Sequence, residues 1–211
     1  MTRHSVPLLA AVQILFTSHA LAFSVVPTSP KAMLQSSDVA FAGTVSRIAG
    51  EEDPTGRTIL TRVVLRDLTG IKGDMRLDSL VLRFEGGAAG SLRVYVPGQP
   101  EFEMSKRYVV LAHADFGSEA NWFSPIVGMH WGLFPIEADT SGQRECVHDY
   151  KHRPLVRVEA DRVIVIDASM ESTGQRASRD PWVVLGRKED PKTRVSEKEF
   201  IAFLRVLAKA K

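Results

Sequence analysis

The sequence predicts a mainly β fold: a closed or partly open β-barrel that carries an extra β-hairpin and a C-terminal α-helix. Three observations predict it. Apolar and polar residues alternate from Val39 to Ser46, from Thr58 to Leu68 and again from Ser79 to Glu85, the period of two that a strand with one buried face requires. Glycine-, proline- and acid-rich punctuation separates these runs at Glu51–Gly56, Gly70–Asp74 and Gly86–Gly90. A helical period emerges only near the C-terminus, behind Ser196-Glu197-Lys198-Glu199, where serine and glutamate are spaced as a capping box.

The chain divides into four parts. Residues 1–22 read as a signal peptide: Arg3 and His4 open it, Val6 to Phe16 is mostly apolar, and His19-Ala20-Leu21-Ala22 places small residues before a cleavage point at Phe23. The apolar run is interrupted by Gln13 and is too short to span a bilayer. No cysteine ends the leader to take a lipid, so the expectation is a periplasmic or secreted protein. Residues 23–37 contain Pro27 and Pro30 and show no periodicity, which predicts an extended lead-in. Residues 38–140 form the barrel, and residues 141–211 supply a hairpin, a long loop and a helix packed on the barrel.

Charge and cysteine usage narrow the possible functions. Among 211 residues, 27 Lys and Arg stand against 25 Asp and Glu, without a basic stripe. Nucleic acid is therefore not the expected partner. Cys146 is the only cysteine, so an exported chain has no internal disulfide and its core must supply the stability.

Within the barrel, Val39, Phe41, Gly43 and Val45 fall on one face of the first strand, with Ala40, Ala42, Thr44 and Ser46 on the other. Thr58 to Leu68 completes a long hairpin, and Leu68 to Asp74 is its terminating punctuation. Ser79 to Glu85 is the next strand. It runs into GGAAGSLRVYVPGQPEF, Gly86 to Phe102, where four glycines and two prolines specify a backbone path that other residues would follow only with strain. A glycine loop, a short strand over Ser91–Val96 and a Pro97–Pro100 corner are expected there. Arg107 to His113 is the central apolar strand, and Met129 to Ile136 is the closing one. Beyond the barrel, Arg144 to His148 is an added strand, and Arg153–Glu159 with Arg162–Asp167 form the hairpin. Ala168 to Val195 reads as a surface excursion, and Glu197 to Ala208 as a docked helix.

A Gly43-Thr44-Val45 unit, an Ile71-Lys72-Gly73 turn, the Gly86-Gly87 loop, a Val96-x-Gly98-x-Pro100-x-Phe102 corner, the Tyr108–Leu111 strand and a Gly128-x-x-x-Gly132-x-Phe134 close occur in that order. This order resembles a group of uncharacterised exported bacterial proteins whose layout is similar to the OB-fold of netrin-like and metalloproteinase-inhibitor domains. The resemblance covers Asp38 to Thr140 and implies an OB-like barrel. The inhibitors place an N-terminal cysteine on a protease zinc; the expected mature N-terminus here is Phe23, so that mechanism does not carry over.

The residue types that carry chemistry are scattered. Cys146, His148 and His152 are of metal-ligating type but lie in strand and loop, without the fourth ligand that a structural zinc site requires. His113 has no nucleophile at a recognisable spacing. The Gly86–Gly90 loop leads into a strand, so it is not a phosphate loop. Trp122, Phe123, His130 and Trp131 offer an aromatic platform for a sugar or single-stranded nucleic acid; the leader and near-neutral charge stand against nucleic acid, and closing the barrel bottom is the simpler role. Glu51, Glu52 and Asp53 are expected at a solvated turn and not around calcium.

The expected function is therefore an exported, non-catalytic binding module without a cofactor. It would contact another exported or envelope protein through the loops around residues 86–102, with Tyr95, Gln99 and Glu101 as the binding residues. The alternative is a small secreted metal-dependent hydrolase or metal-binding protein that uses His113, His148 and His152.

Overall fold

The computed structural model describes residues 28–53, 56–114, 124–139, 142, 144–167, 181–186 and 194–210. The leader over residues 1–22, Trp122 and Phe123 lie outside them. The chain is mainly β with a C-terminal helix. Strands β1 (Val39–Glu52), β2 (Ile59–Lys72), β3 (Ser79–Glu85), β6 (Arg107–Ala112), β7 (Leu133–Ala138) and β8 (Glu145–Val147) form one antiparallel sheet in the order β3-β2-β1-β6-β7-β8. β4 (Gly87–Ala89) and β5 (Leu92–Val94) form a separate two-stranded ribbon, and β9 (Leu155–Val158), β10 (Val163–Asp167) and β11 (Trp182–Gly186) form a third sheet.

The large sheet curls without closing. Leu80, Leu82 and Phe84 of β3 share one buried cluster with Phe41, Tyr108 and Leu133 of β1, β6 and β7, so the two flanks bend toward a common interior. β3 and β7 are not hydrogen-bonded neighbours, which leaves a partly open barrel. On the opposite face, Ala40, Ala42, Val109, Leu111, Phe134 and Ile136 join a second cluster with both helices and the third sheet.

The first half of β1, Val39 to Gly43, and β6 are thus buried on both faces. The sequence predicted a half-buried first strand, whereas Ala40 and Ala42 are as inaccessible as Phe41. Their small side chains let the outer layer approach the sheet closely. Phe134 shows how the layers lock: its ring meets Phe200 edge-on at 4.9 Å and stacks with Trp182 at 6.1 Å.

Five local expectations are corrected. Pro30–Ser36 is a helix, α1, not an extended lead-in. Ser29 caps it by accepting from the Ala32 N–H, Pro30 occupies its first turn, and Met33 and Leu34 are buried. Seven residues are too few to display a helical period. β2 continues through Gly70 to Lys72 because register shifts opposite Ala40–Thr44 absorb the glycine, and Ile71 is buried. The Lys72 ammonium then donates to the Leu34 carbonyl at 2.7 Å and joins β2 to α1.

The strand expected over Ser91–Val96 forms but is shorter, Leu92–Val94. Gly87–Ala89 turns back through Gly90 onto Leu92–Val94, so the expected glycine loop is itself half of a ribbon. Met129–Gly132 is a 3-10 turn, and the strand beyond the Gly128 bend starts only at Leu133. Trp182–Gly186, in the expected surface excursion, is a strand parallel to β10, and Trp182 is buried. The expected hairpin of β9 and β10 and the strand over Glu145–Val147 form as their alternation requires.

Helix α2 (Glu197–Lys209) begins at the expected capping box: the Glu199 N–H donates to Ser196 Oγ, and the Ser196 N–H donates to Glu199 Oε2. Such a cap contributes about 1 kcal/mol. Burial of Phe200, Ile201 and Leu204 contributes roughly 1.5–3 kcal/mol for each side chain. Docking therefore holds the helix, and the cap fixes where it starts. No helix among the described residues is long and apolar enough to cross a membrane.

Candidate functional site

The corner between Val96 and Phe102 runs across the opening that β3 and β7 leave. Phe102 anchors it, with its ring centroid 5.4 Å from Phe84 of β3 and 5.1 Å from Tyr108 of β6. The Glu103 N–H donates to the Tyr108 hydroxyl at 2.9 Å. At the other end, Thr61 Oγ1 donates to the Gly86 carbonyl and the Gly86 N–H donates to the Ile59 carbonyl, both at 2.7 Å.

Two of the glycines are required by contact and conformation together. Gly86 has φ +93°, and a Cβ there would lie 3.0 Å from the Val94 carbonyl oxygen. Gly98 has φ +82° and rests against Met129, whose methyl would be 2.9 Å from an added Cβ.

Because the corner bridges the gap, a cleft opens on each side of it. The first, about 370 Å³, has Ile48, Val63, Phe84 and Phe102 among its walls and Tyr95, Gln99 and Glu101 among its remaining residues. Val94 and Tyr95, which line it, and the neighbouring Leu92 are exposed, Tyr95 to 85%. The second cleft, about 220 Å³, lies between the corner and β7, and its lining includes Leu133, Pro135, His130, Tyr150 and His152. Gln99 and Glu101 line both clefts, and Tyr95 lines the first.

The turn that carries Tyr150 and His152 is fixed by Asp149, which is wholly buried. Its Oδ1 accepts the N–H groups of Lys151 and Arg153, each at 2.9 Å. Its Oδ2 takes Arg153 Nε at 2.8 Å and Nη2 at 2.6 Å. A buried carboxylate satisfied in this way holds the turn rigid. His152 stands at its end with φ +59°, a conformation that disfavours side chains with a Cβ.

The three histidines named from the sequence do not converge. His113 follows β6 and lies 3.7 Å from Asp38, at the opposite end of the β6–β7 pair from Glu137. His152 Nδ1 is 2.6 Å from Glu137 Oε1. His148 is buried, with Nδ1 3.1 Å from the Cys146 carbonyl oxygen. Burial lowers the proton affinity of His148, against the opposing pull of the Glu137 carboxylate. Burial also pushes Glu137 upward, but the hydrogen bond from His152 and the charges of His148, His152 and Lys106 outweigh it and bring the carboxyl below its ordinary range.

Burial raises the Cys146 thiol, so it stays protonated. Among the described residues, no three of His, Cys, Asp and Glu are grouped to hold a metal.

Reasoning from sequence missed Tyr150, Glu137 and Asp149. Asp149-Tyr150-Lys151 carries the local signal of a side chain that accepts from N–H groups two and four residues on, which marks a turn displaying the residues after it. No protein-family model, curated protein or solved structure matches this chain.

Proposed function

We propose that this protein is an exported, non-catalytic binding module that contacts another exported or envelope protein through the segment from Gly86 to Phe102. The observation that carries this reading is the first cleft. Its apolar walls continue onto the exposed Leu92, Val94 and Tyr95, and an apolar lip beside an open groove is the surface that a protein partner desolvates. The β4–β5 ribbon supports it, since every residue of β5 is exposed while β4 lies against the β1–β2 hairpin. Tyr95 is the expected anchor, because a rigid aromatic ring buries a large area with little loss of side-chain freedom. Gln99 and Glu101 would set register at the rim. Export rests on the leader at residues 1–22.

Affinity capture from the native exported fraction tests the reading, comparing the chain from Phe23 onward with a variant carrying Tyr95→Ala, Gln99→Ala and Glu101→Ala. A partner retained by the wild type and lost by the variant is the expected result. Equal recovery of every partner would remove the segment from the account.

A further inference from the structure

We infer that the first cleft takes an extended, basic segment of the protein partner: one large apolar side chain of the segment enters the cleft, and a Lys or Arg close to it in sequence meets Glu101. The inference rests on the reading that Gly86 to Phe102 is the contact surface, and it assigns the chemistry of what that surface holds.

The apolar anchor follows from what lines the cleft. Val63 and Phe84 belong to the inner cluster of the barrel, and Ile48 and Phe102 pack against it, so the cleft opens onto the barrel's own interior. A side chain that enters leaves water for the surroundings that these core residues already share. The volume of about 370 Å³ is at the low end of the roughly 300–1,000 Å³ of sites that enclose a small ligand. One anchor fits, not a row of them.

A row is what a helix would need, because an amphipathic helix in a groove presents apolar anchors at i, i+3, i+4 and i+7. An extended segment instead pairs with a free strand edge and drops alternate side chains into pockets beside it. β5 supplies that edge: it pairs with β4 on one side, and among the described residues no strand pairs with it on the other. Val94 of β5 also lines the cleft, so edge and pocket adjoin.

The sorting of charge selects a basic segment. Arg47, Arg62, Arg83 and Arg93 are sequence neighbours of the lining residues Ile48, Val63, Phe84 and Val94, yet none of the four lines the cleft. Successive side chains of a strand point to opposite faces, which turns these arginines away. Arg47 and Arg62 line a separate depression with Glu51, and Arg62 lies 3.4 Å from that carboxylate. Lys106, near the end of the corner, is held by Glu103 at 2.6 Å and Glu137 at 3.6 Å.

The charged residues that do line the cleft are Glu85 and Glu101. Neither forms an ion pair among the described residues, and Glu85 accepts from the Thr58 hydroxyl at 3.5 Å. An acidic segment would bring like charges together there, whereas a basic one is complementary. Glu101 and Tyr95 are both exposed, so a ligand reaches them without rearrangement of the chain.

Selection from a random peptide library displayed on phage, with the chain from Phe23 onward as bait, tests the inference; the selected peptides are then synthesised and their affinities measured. We expect them to carry a large apolar residue with Lys or Arg within about two positions of it, the spacing of alternate side chains on a strand. Replacing that apolar residue by Ala in the peptide should weaken binding about tenfold or more, and Tyr95→Ala in the protein about tenfold. Glu101→Gln should weaken it about two- to fivefold and flatten its dependence on salt, as expected for a charge at the rim. Removing the peptide's cation should then have no further effect on the Glu101→Gln variant. Glu101 is exposed, so this variant keeps the fold. Selected peptides that are acidic, or that bind Glu101→Gln as they bind the wild type, while still depending on Tyr95, would overturn the basic ligand and leave the contact surface standing. Peptides indifferent to both Tyr95→Ala and Glu101→Gln would overturn the two together. Enrichment of no peptide would overturn the extended segment, with the surface itself still decided by affinity capture.

Discussion

Arg107, the first residue of β6, reaches Glu197 in the first turn of α2, with Nε 2.7 Å from Oε1 and side chains 22% and 21% exposed. The same guanidinium donates to the Asp67 carbonyl at 2.9 Å, Thr69 Oγ1 at 3.1 Å and Thr44 Oγ1 at 3.3 Å. One side chain therefore ties β1, β2, β6 and the C-terminal helix together. This is where the barrel and the chain after it become one structure.

Arg107→Ala should lower stability by about 2 kcal/mol, since it strands one carboxylate and three further acceptors in a half-buried place. Glu197→Ala should cost about 1 kcal/mol, because the guanidinium keeps its other partners. A double-mutant cycle by urea unfolding should return a coupling of about 1 kcal/mol. Additive costs would mean that the helix is held by its apolar face alone.

Gly50→Ala should disrupt the first cleft from outside it. A Cβ at Gly50 would sit 1.8 Å from the Ala88 carbonyl oxygen, so the β4–β5 ribbon must lift off the β1–β2 hairpin. We expect a loss of about 1–3 kcal/mol and amide shift changes over residues 86–96 in a 15N spectrum. Shifts confined to the neighbours of Gly50 would mean that the ribbon does not depend on that contact.

His148 gives the stability a pH dependence of defined sign. Burial depresses its folded-state pKa below the ordinary 6.5, so the unfolded chain takes up a proton at a pH where the folded chain does not. The stability is complete above about pH 6.5 and is lost as pH falls from there through the folded value. Glu137 acts in a lower window, because its depressed carboxyl contributes above its ordinary 4.5 and fades as pH falls further. Urea unfolding at pH 7.5 and 5.5 should show a decline that His148→Gln reduces. An unchanged decline would assign it to other groups.

Much of the fold was legible because it is local. Alternation at Ser79–Glu85 and Arg107–Ala112, the pairing of Leu155–Val158 with Val163–Asp167 and the Ser196–Glu199 cap each follow from spacings of a few residues. Of the site, the sequence marked the corner and its residues Tyr95, Gln99 and Glu101 through glycine and proline alone. Tyr150 gave no such mark, since it meets that corner from a turn about 50 residues away in the chain.

The sequence by itself determined the alternating strands β1, β2, β3 and β6, the hairpin of β9 and β10, and where the C-terminal helix starts, because steric limits and hydrogen-bond periods act within one segment. Only the tertiary structure decided that Ala40 and Ala42 form a second buried face, that Trp182 begins a strand and that the corner crosses an open barrel to leave a cleft on each side. Those outcomes depend on surfaces that meet only after distant segments pack, and burial is a property of the meeting, not of the residue.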